Sequence, residues 1–75
     1  ELAAVVRAIG AAVITDREIG LDDNLFDLGV SSLALAQIHE RINERFPGRL
    51  DIEDLFNLPT ARDIAAHLAR AEAAA

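Results

Sequence analysis

The chain has 75 residues, seven basic and thirteen acidic side chains for a formal net charge of −6, and no cysteine. A chain of this size buries only about 60–65% of its unfolded surface, which leaves room for one small domain with a thin core. The composition excludes disulfides, thiolate metal sites and cysteine nucleophiles. A negative field also argues against a nucleic-acid backbone as partner, since phosphate binding needs positive charge. On its own, acidity of this size serves solubility. No apolar run is long enough to cross a membrane, and the first residues lack the basic and apolar regions of a signal peptide, so a soluble cytoplasmic domain is expected.

Apolar period and punctuation predict four helices and no strand. The first covers about Leu2 to Ile14, with Leu2, Val5, Val6, Ile9 and Val13 on one stripe and Gly10 weakening it slightly. From Thr15 to Val30 the period dissolves into a long connection, in which Ile19, Leu21, Leu25, Phe26 and Leu28 are expected to point inward. A connection of this length in a small domain usually has a task. Within it, Asp22, Asp23, Asn24 and Asp27 lack the alternating oxygen positions of a calcium loop, because the third ligand position counted from Asp22 falls on Phe26. They read as a solvated turn.

The second helix is expected to begin at Ser31 or Ser32 and to stop near Phe46, before Pro47-Gly48. Leu35, Ile38, Ile42 and Phe46 form its buried stripe, and His39 borders it as a packed side chain. His39 and His67 fall on different helices without metal-ligand spacing. Asp51 is positioned to cap a short third helix that carries Ile52, Leu55 and Phe56 inward and ends before Pro59. Thr60 caps the fourth, with Asp63 three residues on in a capping-box pattern and Ile64 and Leu68 facing the core. The last residues, Ala-Glu-Ala-Ala-Ala, read as frayed helix or the start of a linker. The expected fold is an all-α four-helix bundle with a long first loop and a short third helix.

Asp27-Leu28-Gly29-Val30-Ser31-Ser32-Leu33 is the most informative stretch. It places serine where a glycine-closed loop meets a helix start, whose unpaired N–H groups and positive dipole end favour an anionic group. A serine there is also a good helix cap, and taken by itself that explains the residue. The flanking residues point further. Asp-Leu-Gly upstream, Leu33 directly after, and then Asp54-Leu55-Phe56 and Pro59-Thr60-Ala61-Arg62-Asp63-Ile64-Ala65 together resemble the phosphopantetheine-dependent carrier proteins, the acyl and peptidyl carrier domains of polyketide and nonribosomal peptide synthases. The resemblance runs from Leu2 to about Arg70.

That resemblance implies a non-catalytic carrier of the acyl-carrier-protein fold. It implies a 4'-phosphopantetheine arm, donated by coenzyme A, on the serine that precedes leucine, here Ser32. The arm's terminal thiol would carry acyl, polyketide or peptidyl intermediates as thioesters. Expected partners are a phosphopantetheinyl transferase and synthase domains such as ketosynthase, acyltransferase, condensation, adenylation or thioesterase domains, with no nucleic acid, no membrane and a monomeric state for the isolated domain. The residue before the modified serine is often aspartate in the family and is Ser31 here, which puts two hydroxyls side by side.

Leu33, Ala36, Gln37, Glu40 and Glu44 lie off the buried stripe, on the face the family uses towards partner enzymes. Arg41 and Arg45 make the second helix less acidic than in a free-standing fatty-acid carrier. With the Ala- and Arg-rich tail, this points to residues 1–75 as one domain cut from a larger multidomain synthase of natural-product, antibiotic-type biosynthesis. A discrete acyl carrier protein and a helical docking module without a covalent arm are the alternatives. No converging acid, base or metal groups support a small enzyme.

Overall fold

The computed structural model describes residues 1–74, which form four helices and no strand. They are α1 (Leu2–Val13), α2 (Ser32–Arg45), α3 (Ile52–Leu55) and α4 (Ala61–Ala74). Helix α1 starts where Glu1 Oε1 accepts the Ala3 N–H at 2.9 Å. Its inward stripe packs chiefly on α4 and also on α2, while α3 leans on α2. Val6 and Ile9 of the expected stripe are buried and Leu2, Val5 and Val13 pack half-buried against them. Helix α4 turns Ile64 and Leu68 fully inward as its period predicts. Its start is capped by Thr60 Oγ1, which accepts the Asp63 N–H at 3.0 Å. The helix carries on through Ala71–Ala74 where fraying was expected, and Ala75 lies outside the described residues.

The core is aliphatic and small. Ile38, Ile42, Leu55, Ile64, Leu68 and Val6 are its most deeply buried large side chains. No buried side-chain nitrogen or oxygen among the described residues lacks a partner, as a thin apolar core requires. Burying polar groups unpaired costs roughly 1–3 kcal/mol each, more than so small a core can offset.

Three aromatic or aliphatic side chains depart from the sequence expectation. Phe26, Ile52 and Phe56 are exposed by 39%, 37% and 50%, not inward. In each case the local turn decides. Leu25 and Phe26 are adjacent in a helical turn, where successive side chains diverge by about 100°, so that burying Leu25 turns Phe26 outward. Helix α3 has a single turn and presents one side chain to the core. Leu55 takes that place and Leu50, just before the helix, fills the volume beside it.

Long-range ties hold the 14–31 connection to the helices. Arg7 Nη1 donates to Ile19 O at 3.4 Å, and the Leu25 N–H donates to Pro59 O at 2.8 Å. At the start of α4, the Arg62 N–H bonds to Leu21 O at 3.1 Å while its side chain reaches Asp22 Oδ1 at 2.8 Å. This hydrogen bond, aided by the charge of the guanidinium, holds the Asp22 carboxyl below its ordinary pKa. A carboxyl whose folded pKa lies below its unfolded value stabilises the fold above the unfolded value and loses that contribution as pH falls through the folded one.

Two outcomes check this description. Leu55→Ala is expected to lower the unfolding free energy by about 3 kcal/mol in urea denaturation, against less than about 1 kcal/mol for Phe56→Ala; equal losses would contradict the placement of the two side chains. In a carboxyl-detected NMR titration, the Asp22 midpoint is expected to rise in Arg62→Gln towards that of a free aspartate.

Candidate functional site

The approach to α2 is a single helical turn with a defined end. Asn24 Oδ1 accepts the N–H groups of Phe26 at 2.9 Å and Asp27 at 3.1 Å, which starts the turn. The Leu28 N–H then bonds to Asn24 O at 3.1 Å, the Gly29 N–H to Phe26 O at 3.1 Å and the Val30 N–H to Leu25 O at 3.2 Å. The last two bonds, with Gly29 at φ +75°, make a Schellman ending. A Cβ on Gly29 would meet nothing within 4 Å. The glycine is therefore required by backbone conformation and not by space.

After the turn, Val30 packs half-buried against the core and Ser31 takes extended backbone angles. Ser31 is the N-cap: its Oγ accepts the Ala34 N–H at 3.1 Å, and its carbonyl accepts the Leu35 N–H at 3.0 Å. Ser32 is the first residue of the helix, exposed, and takes no part in the cap. The two adjacent hydroxyls thus have different positions, which the sequence left open. No acidic side chain occupies the first turn of α2, so the positive end of its dipole is not neutralised there.

Beyond Ser32, Leu33 is the most exposed large apolar side chain, at 69%. Ala36, Gln37, Glu40 and Glu44 are exposed on the same helix, and Leu35, Ile38 and Ile42 are buried. His39 is half-buried and its Nε2 lies 2.7 Å from Leu50 O, an acceptor, so the ring donates from Nε2 and joins α2 to the segment before α3. His67 Nε2 meets Asp54 Oδ2 at 3.5 Å between α4 and α3. Two acidic residues of the loop are likewise engaged: Asp23 Oδ2 accepts the Gly20 N–H at 2.7 Å, and Asp22 is held by Arg62 of α4. Among the described residues no three His, Asp or Glu side chains gather in a metal-binding arrangement.

A family of phosphopantetheine attachment sites matches residues 2–68, a span that includes all of α1, the connection, α2, α3 and the start of α4. The chain belongs to the phosphopantetheine carrier family. Several of its relatives are nonribosomal peptide synthetases. It is 41% identical over 64 residues to a dimodular nonribosomal peptide synthase of Bacillus subtilis, covering 85% of this chain and 3% of that protein. It is 37% identical over 60 residues to phosphinothricin tripeptide synthetase PhsB of Streptomyces viridochromogenes, covering 80% and 5%. Indigoidine synthase of Dickeya dadantii is 35% identical over 66 residues, covering 88% and 4%. The chain therefore spans about a twentieth or less of each of these relatives. No solved structure matches it significantly.

Members of this family carry 4'-phosphopantetheine covalently. The start of α2 suits such a group: an exposed serine outside the cap, a first turn without acidic residues, and unpaired N–H groups in that turn. The division of labour between the two serines has a measurable consequence. Ser31→Ala is expected to cost about 1 kcal/mol of stability through loss of the cap, whereas Ser32→Ala stays within about 0.5 kcal/mol of the parent chain. Chemical denaturation of the two variants reads the difference, and a reversed order would assign the cap to Ser32.

Proposed function

We propose that this carrier domain holds its phosphopantetheine on Ser32 and presents acyl or peptidyl intermediates to the enzymes of a nonribosomal peptide or related assembly line. The observation that carries the reading is the exposed position of Ser32 at the first residue of α2, with the cap left to Ser31. When bound, the arm supplies a terminal thiol that holds cargo as a thioester, which this cysteine-free chain does not have of its own. The chain's part is presentation. Ser31 fixes the helix start, Gly29 ends the turn before it, and the α2 dipole favours the phosphodiester.

In loading, Ser32 Oγ bonds to the phosphorus next to the pantetheine half of coenzyme A. The bond from that phosphorus to the departing adenosine 3',5'-bisphosphate breaks, and the serine proton passes to a base of the transferase. Nothing in the carrier is needed as acid or base, consistent with a non-catalytic role. A carrier of this kind works in the cytoplasm beside coenzyme A and its transferase, and within a longer polypeptide. The multidomain character of the relatives supports that setting, as does the mixed charge on α2, where Arg41 and Arg45 are exposed beside Glu40 and Glu44. Leu33 is the side chain best placed to meet a partner enzyme close to the arm.

Intact-mass measurement after incubation with coenzyme A and a broad-specificity phosphopantetheinyl transferase tests the site. Wild type and Ser31→Ala are expected to gain one phosphopantetheine and Ser32→Ala none. A gain abolished only in Ser31→Ala moves the site by one residue; a folded wild-type domain that gains nothing across several transferases leaves the docking module as the better account.

A further inference from the structure

The turn that delivers the chain to Ser32 is closed by the N–H groups of Leu28, Gly29 and Val30, all bonded within it. Both its closure and its orientation depend on what holds its two ends. The beginning is fixed by burial of Leu25 and by the bond from the Leu25 N–H to Pro59 O at 2.8 Å. At the far end, the Leu28 carbonyl accepts from Arg17 Nη1, a contact that spans eleven residues. Arg17 Nη2 in turn meets Asp16 Oδ2 at 3.3 Å, so one planar fork is held on both sides.

Packing does not do the same work on this side of the turn. Between the end of α1 and the start of α2 lies an open groove of about 270 Å³, bordered by Val13, Ile14, Leu28, Val30 and Ala34, with Arg17 on its rim. Leu28 and Val30 reach the core only in part. Arg17 lines this open groove. Its bond to Leu28 O is the one side-chain hydrogen bond among the described residues that ties the end of the turn to the first half of the connection.

We infer that Arg17 is a positioning residue for modification of Ser32: by holding the Leu28 carbonyl across this groove it sets the angle at which the turn enters α2. The inference rests on Ser32 as the attachment point. A transferase that needs the turn and helix start in one arrangement binds a loosened chain more weakly, in proportion to the fraction still correctly arranged. Chemistry within the bound complex is untouched. The expected signature is a raised KM for the carrier with kcat preserved.

Steady-state loading by a phosphopantetheinyl transferase, combined with amide hydrogen exchange on the same 75-residue chain, tests this. Arg17→Ala is expected to raise KM about fivefold, as when only about a fifth of the chain is correctly arranged, with kcat unchanged. Arg17→Lys, which keeps a charged donor nitrogen but not the planar fork, should recover part of the loss. The Gly29 and Val30 amides should exchange faster in Arg17→Ala while those of Ile38 and Ile42 stay as in wild type. An unchanged KM overturns the inference. So does a raised KM with unaltered exchange at Gly29 and Val30, which would mean that the transferase touches Arg17 directly, or faster exchange throughout, which would mean general support of the fold. Should wild type fail to load on Ser32, the attachment reading falls, while the exchange data still decide whether Arg17 holds the turn.

Discussion

Leu25 is the residue on which the approach to the candidate site depends. Its side chain is buried, its N–H is bonded to Pro59 O in the linker between α3 and α4, and its carbonyl receives the Val30 N–H. Through it, a connection without regular secondary structure is fastened to the α3–α4 linker and a turn of defined shape is hung before α2. Gly29 and Ser31 then act in sequence. The first ends the turn with a positive φ, and the second opens the helix by capping it.

Arginine does much of the fastening elsewhere. All seven basic residues are arginines, and four of them make ties within the chain: Arg7 to Ile19 O, Arg17 to Leu28 O, Arg49 to Glu72, and Arg62 to Leu21 O and Asp22. A guanidinium can serve a carbonyl and a carboxylate at once in fixed geometry, which an ammonium cannot. Exposed contacts of this sort add little to global stability. Their effect is local. Those of Arg7, Arg17 and Arg62 restrict a loop whose own backbone ladder is missing, at the low-stability end of the molecule where functional segments reside.

Helix positions and the main buried stripes were legible in the sequence because α1, α2 and α4 run long enough for a 3.6-residue period to show. Leu35, Ile38, Ile42, Ile64 and Leu68 are buried as their spacing implied. Where an element is a single turn, period carries no information. Ile52 and Phe56 flank Leu55 in α3, and Phe26 follows Leu25, yet hydrophobicity alone does not say which member of each set wins the core. Leu50 lies between helices and is buried without a stripe to announce it, whereas Ala3, Ala61 and Ala65 extend the buried stripes of α1 and α4 with side chains too small to mark them. Arg17 belongs with Leu50. Nothing in Asp16-Arg17-Glu18 distinguishes it from a solvated charge run until the fold brings Leu28 within its reach.

The serine pair shows the limit most clearly. Sequence alone offers two hydroxyls at a helix start, either of which can cap, whereas the structure gives the cap to Ser31 and leaves Ser32 outside it. A bulky anion on the capping oxygen would have to displace the Ala34 N–H bond, and the helix would lose its start in the act of being modified. On Ser32 the same anion leaves that bond in place and lies beside unpaired N–H groups at the positive end of the dipole. A carrier has to remain the same fold whether loaded or empty, and separating the oxygen that holds the helix from the oxygen that is free to be modified meets that requirement.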